Sequence, residues 1–158
     1  MKRSKEIHTI SPWIFEDSKV LILGSFPSQI SRKESMYYGN PQNRFWKVME
    51  ELFKDKVDVP IEFCERHQIA LWDVIGSCVI EGSSDASIQD IIYNPIDEII
   101  EKYPIHCIIL NGKKASSEFH KQFFVEIPVY DLPSTSSANA RYSLDDLVNE
   151  YSKIKEYL

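Results

Sequence analysis

Four short runs of uninterrupted apolar residues limit what this chain can fold into: Val20-Leu21-Ile22-Leu23, Ile69-Ala70-Leu71-Trp72, Cys107-Ile108-Ile109-Leu110 and Ile127-Pro128-Val129-Tyr130. None alternates apolar with polar residues, as a strand with one wet face does. Such runs are strands covered on both faces, the situation inside a parallel sheet. Amphipathic segments lie between them. Phe45, Val48, Met49, Leu52 and Phe53 mark one helical stripe, for which Asn40 is the expected N-cap and Pro41 the first-turn residue. Asn94-Pro95 opens another helix, with Ile96, Ile99, Ile100 and Tyr103 inward. Ser143 and Asp146 form a capping pair ahead of a last stripe of Leu144, Leu147, Val148, Tyr151, Ile154 and Leu158. Strands alternating with helices predict a three-layer α/β/α sandwich around a central four-stranded parallel sheet, with residues 1–158 in a single domain.

Composition excludes several function classes. No apolar run approaches the roughly 18–20 residues of a membrane helix, so no membrane role is expected. The basic start, Met1-Lys2-Arg3-Ser4-Lys5-Glu6, lacks the apolar segment of a signal peptide. Cys64, Cys78 and Cys107 are odd in number and lack CxxC spacing, which fits neither a disulfide framework nor a metal site and points to a reducing cytoplasm. The net charge of −6 opposes strong nonspecific binding to nucleic acid, so any such contact needs a local basic patch. Arg32, Lys33, Arg44, Lys113, Lys114 and Arg141 are the expected members of that patch.

Glycines mark one edge of the sheet. Gly24, Gly76 and Gly112 each follow a predicted strand. In an open parallel sheet the ligand crevice lies beyond the strand C-termini, where glycine permits tight turns and close approach. Three stretches at that edge carry the residue types of a binding site. Gly24-Ser25-Phe26-Pro27-Ser28 is neither a phosphate loop nor a nucleophile elbow, because its spacing matches neither pattern. Tyr37-Tyr38-Gly39-Asn40-Pro41-Gln42-Asn43-Arg44-Phe45-Trp46 concentrates aromatics, amides and a cation, which suit base stacking, base-edge reading and phosphate contact. The third stretch, running from Asp131 to Ala140, is rich in small hydroxyl residues suited to holding a phosphate backbone.

In this order the three stretches resemble the uracil-DNA glycosylase superfamily, over nearly the whole chain. Residues 21–28 are similar to its motif 1, residues 37–46 to the segment that follows, and residues 132–140 to its motif 2. The run from Asn43 to Val48 is similar to that of the mismatch-specific uracil glycosylases. The GSFPS, YYGNPQNRFW and LPSTS combination resembles the hypoxanthine-DNA glycosylase branch. Two usual polar catalysts are replaced: Phe26 stands where other branches carry Asp or Asn, and Leu132 where many carry His. The usual His before Pro is Asn40, and a usual motif 2 Pro is Ser137.

The resemblance implies a monofunctional DNA glycosylase acting in base excision repair. It would hydrolyse the N-glycosidic bond of a flipped-out deaminated base, hypoxanthine before uracil, with no cofactor or metal. The partner is DNA containing such a base, and the protein is expected to be a cytoplasmic monomer. Catalysis falls to Asn43, through its amide oxygen on water or its NH2 on the base. Gly24, Ser25, Phe26, Tyr38, Asn40 and Asp73 are the expected base-binding residues. Ser28, Arg44, Lys113, Ser134, Thr135 and Ser136 are the expected DNA-backbone contacts. Asp73 as an ionised carboxylate accepts hydrogen bonds only, and hypoxanthine carries an N1–H donor that adenine lacks. A noncatalytic module for damaged or single-stranded nucleic acid, and a hydrolase of free nucleosides, are the rival readings.

Overall fold

A computed structural model describes residues 2–158; Met1, at the head of the basic N-terminal run, lies outside them. The chain runs through β1 (Arg3–Ile7), β2 (Val20–Gly24), α1 (Gln29–Glu34), α2 (Phe45–Phe53), α3 (Pro60–Arg66) and β3 (Ile69–Asp73). It continues through β4 (Ile75–Glu81), β5 (Gln89–Tyr93), α4 (Ile96–Lys102), β6 (Cys107–Asn111), α5 (Lys113–Gln122), β7 (Val129–Leu132) and α6 (Leu144–Tyr151). The central sheet has the order β3-β2-β6-β7, all parallel, as the apolar runs predict.

Alternation along each buried strand feeds two cores. Val20, Ile22, Ile69, Leu71, Cys107 and Ile109 face one layer, where α2 contributes Phe45, Val48, Met49 and Leu52 and α6 contributes Leu147 and Tyr151. Leu21, Leu23, Ala70, Ile108 and Leu110 face the other, where α4 contributes Ile96 and α5 contributes Ala115 and Phe119. The outer edge of β3 is covered by a two-bond bridge between Trp13 and Leu71, which removes it as a site for further strand pairing. Among the described residues no helix is long and apolar enough to cross a membrane. The three cysteines are free and buried, and burial pushes the thiols of Cys64 and Cys107 up to about 12.

Several sequence expectations need correction. The last strand lies two residues later than its apolar run, ending at Leu132. Asn40 is not the N-cap of α2, which begins at Phe45; its side chain instead accepts from Gln42 N in a local turn. Asn94 does not cap α4 either. Its amide donates to the Asp73 and Ile75 carbonyls at 2.9 and 3.2 Å and so locks the corner between β3 and β4. Ser143 and Asp146 do form a capping box.

A second sheet, absent from the sequence reading, has the antiparallel order β1-β4-β5. Gly76 lies within its β4, not at the edge of the central sheet. β1 is exposed along most of its length and β5 over much of it, so backbone pairing rather than apolar pattern holds them. Phe26, Ile75, Cys78, Ile80 and Ile88 form its small core.

Candidate active site

The order β3-β2-β6-β7 reverses direction between β2 and β6, and an open parallel sheet binds its ligand beyond that point. Gly24 ends β2 beside Asp73 of β3, while Gly112 follows β6 and bonds to the Leu132 carbonyl of β7. All four therefore lie at one edge of the sheet. A pocket of about 190 Å³ opens there, reached by every one of the three stretches. Next to it runs a larger cleft of about 670 Å³, whose wall includes Lys113, Lys114, Arg141, Ser117 and Asn139.

Asn43 is fixed in the pocket wall by a directional chain of hydrogen bonds. Thr135 N donates to Asn111 Oδ1, which turns the Asn111 amide so that its Nδ2 donates to Thr135 Oγ1, both at 3.1 Å. The Thr135 hydroxyl then donates to Asn43 Oδ1 at 2.8 Å, and Phe45 N donates to the same oxygen at 2.9 Å. Both donors require an oxygen at that position, so the amide orientation is set. The oxygen is saturated, and the NH2 group is left for the pocket. Asn43 thus has a structural duty at the start of α2 that sequence reasoning did not assign, and of its two expected roles the donor role is the one that remains.

Asp73 has both oxygens placed. Oδ2 accepts from His8 Nε2 at 2.8 Å, in a pair whose side chains are 3% and 6% exposed. Oδ1 lies over Gly24, where a Cβ would come within 2.4 Å of it. Glycine at position 24 is therefore what lets the carboxylate sit against the strand end. We expect Gly24→Ala to displace Asp73, lowering stability by about 1–3 kcal/mol and base excision with it. A thermal melt and an excision rate both equal to wild type would show that the carboxylate has room to shift.

The Tyr38 hydroxyl is buried and donates to no group among the described residues, although the Asn111 amide is close enough to favour its ionised form. Burial first, and the Asp73 charge second, raise its pKa far above the usual tyrosine value, so it remains a proton donor. Its backbone is left-handed (φ 54°), and its ring stacks on Phe45 at 4.0 Å. Phe26 lines the pocket but belongs to the second sheet's core; Arg32 lies 5.3 Å over its ring and His8 meets it edge-on. Ser25 donates to Asp85 at 2.8 Å.

Several expected DNA contacts are committed elsewhere. Arg44 donates to the carbonyls of Ser136 and Asn139 at 3.0 and 3.1 Å, and to that of Tyr142, so it clamps the 134–142 loop rather than facing solvent. Thr135 is wholly buried in the amide chain. The Ser28 hydroxyl caps α1 by accepting from Ser31 N. Ser134 and Ser136 remain at the cavity walls; each accepts a backbone N–H, which leaves its own proton free to donate. Of the six expected cations, Lys113, Lys114 and Arg141 line the cleft. Arg32 is held by the Pro27 and Gly82 carbonyls, and Lys33 lines neither cavity.

His8 and Asp85 are site residues that sequence reasoning missed. Both come from the second sheet: His8 follows β1, and Asp85 opens the turn between β4 and β5. Neither sits in a motif. Among the described residues no group of three His, Cys, Asp or Glu is placed to hold a metal ion.

A model of the uracil DNA glycosylase superfamily matches residues 12–158. A protein named hypoxanthine DNA glycosylase from Methanosarcina acetivorans is 34% identical over 134 residues, which cover 81% of this chain and 85% of that one. A protein of the same name from Methanosarcina barkeri is 34% identical over 110 residues, covering 66% and 70%. The fold also matches the solution NMR structure of a candidate uracil DNA glycosylase from Methanosarcina acetivorans. The TM-score is 0.75 at 28% identity, over 92% of this chain and 96% of that one.

Proposed function

The chain belongs to the uracil DNA glycosylase superfamily, and from that premise we propose that it is a DNA glycosylase that releases a deaminated base, with hypoxanthine preferred. The observation that carries this reading is the pairing of the Asp73 carboxylate, a pure acceptor, with the Tyr38 hydroxyl, whose proton has no acceptor among the described residues, in one small pocket. Deamination of adenine replaces an acceptor nitrogen by N1–H and an amino group by the O6 carbonyl. An acceptor beside a donor complements that altered edge and opposes the original one. The same polarity suits uracil against cytosine; the names of the similar Methanosarcina proteins favour hypoxanthine.

The duplex backbone would lie along the larger cleft, against Lys113, Arg141, Ser134 and Ser136. The flipped nucleotide costs a few kcal/mol to extrude, and least when it is mispaired. As the C1′–N bond breaks, negative charge gathers on the departing purine, where the Asn43 NH2 is a donor held ready. The reading needs no cofactor and treats the protein as a monomer.

Single-turnover excision from duplexes containing hypoxanthine, uracil or xanthine, each against all four partners, tests it. Hypoxanthine should be released fastest. Asp73→Asn introduces an NH2 donor, so it should slow hypoxanthine release and narrow the margin over bases without N1–H. A variant that keeps rate and selectivity would make Asp73 structural. Tight binding with no release of any base would favour a noncatalytic module, and release from free inosine alone a nucleoside hydrolase.

A further inference from the structure

The bond to be cut must lie where base and backbone part company. With the base in the small pocket and the backbone along the cleft, as just proposed, that place is the seam shared by the two cavities. Asp85, Asn111, Ser134 and Ser136 line both. The Asn111 amide is engaged with Thr135, and the two serines are neutral. Asp85 is the ionisable group on the seam.

Its setting is built rather than incidental. Oδ1 accepts the Ser25 hydroxyl at 2.8 Å, while Oδ2 makes no hydrogen bond among the described residues. The turn that Asp85 opens is braced from several directions. Ser87 Oγ donates to the Ser84 carbonyl and accepts from Glu81 N, and Ser83 Oγ accepts from Gln29 N. One carboxylate oxygen is thereby anchored to the loop after β2, and the other is left for a ligand.

We propose that Asp85 is the catalytic carboxylate of this site, accepting the proton of the attacking water and offsetting positive charge on the sugar. The C1′–N9 bond breaks, and its electron pair leaves with the purine, which takes up a proton from solvent. The water oxygen bonds to C1′ while its proton passes to Asp85 and then to solvent. No further reactant is needed. A carboxylate supplied by the second sheet occupies a role for which Phe26 and Leu132 are chemically unfit.

Asp85 is exposed as a residue but lines both cavities, and desolvation of its carboxyl there raises its pKa above the ordinary carboxylate value. The Ser25 hydrogen bond and the Lys114 charge from α5 pull it down, and the Asp73 charge from β3 pushes it up. Cys78 of β4 is a further neighbour, its own thiol raised by burial, and the cations Lys113 and Arg141 line the same cleft as Asp85. A raised pKa makes the carboxylate a better base, and the rate should fall as pH drops through it.

Asp85→Asn should slow single-turnover release from the preferred duplex by about 100-fold or more, while affinity for a duplex with an abasic site stays near wild type. Its pH–rate profile should lack the acid limb that is expected of wild type above the ordinary carboxylate range. Asp85→Glu should keep that limb and part of the rate, and it decides the matter if the Asn variant melts early. Release near the wild-type rate, or slow release with the limb intact, would overturn the proposal. Wild type releasing no base from any duplex would overturn the functional reading instead, so the two failures are separable.

Discussion

Replacing Asn43 by Asp is expected to slow single-turnover release of hypoxanthine by about 10-fold to 1000-fold, the scale of losing one transition-state donor, with little change in melting temperature. The aspartate keeps an oxygen where Phe45 N and the Thr135 hydroxyl donate, at 2.9 and 2.8 Å. What it loses is the NH2 group proposed above to donate to the departing purine. It also adds negative charge to the pocket that Asp73 and Asp85 line, which works against an anionic leaving group in the same sense. Asn43→Ala should behave differently. That change removes the acceptor as well, strands two donors, and should cost stability by about 1–3 kcal/mol on top of the lost rate. If Asn43→Asp releases hypoxanthine at the wild-type rate, the amide is a brace for α2 and the donor mechanism fails.

The second large effect concerns folding. Arg44→Ala should lower stability by about 3 kcal/mol, because a charged donor group is lost from three loop carbonyls at once. For a chain of this size that corresponds to a fall in Tm of roughly 6–12 °C. Lysine should recover little, since a point charge on a flexible stem cannot reproduce the guanidinium fork. Base release should fall too, because the clamped loop carries Thr135, on which the Asn43 orientation depends. A phosphate-binding Arg44 predicts the opposite pattern, with unchanged Tm, weaker DNA binding and a shallower salt dependence. Thermal melts and salt titrations on one preparation separate the two.

The parts of the fold that could be read in advance are those whose burial leaves a local pattern. Val20 to Leu23 and Cys107 to Leu110 are apolar without a break because helices cover both faces of β2 and β6. β1 carries no such mark. Its Arg3-Ser4-Lys5-Glu6-Ile7 sequence is mostly exposed, and it is a strand only because β4 offers it backbone partners. The site divided along the same line. Gly24, Asp73 and Asn43 stood out because they follow strands or sit in a dense polar stretch. His8 and Asp85 did not, since each gains its role from a partner 65 or 60 residues away. Arg44 was legible as a cation but not as a clamp, because its carbonyl partners lie more than ninety residues further along.

Those separations bear on when the pocket comes into being. Its closing contacts join His8 to Asp73, Ser25 to Asp85 and Asn43 to Thr135, across 65, 60 and 92 residues. A few side-chain contacts at the sheet edge add little to the packing that joins the central strands, so this edge can open while the sheet persists. A nascent or partly melted chain can hold its central strands and still have no assembled site. Glycosylase activity is thereby expected of the complete form alone. β1 is the most exposed participant, and its release would free His8 from Asp73 before the core is disturbed. Loss of activity should then precede loss of structure on gentle heating, making enzymatic rate an earlier indicator of damage to this protein than its circular dichroism.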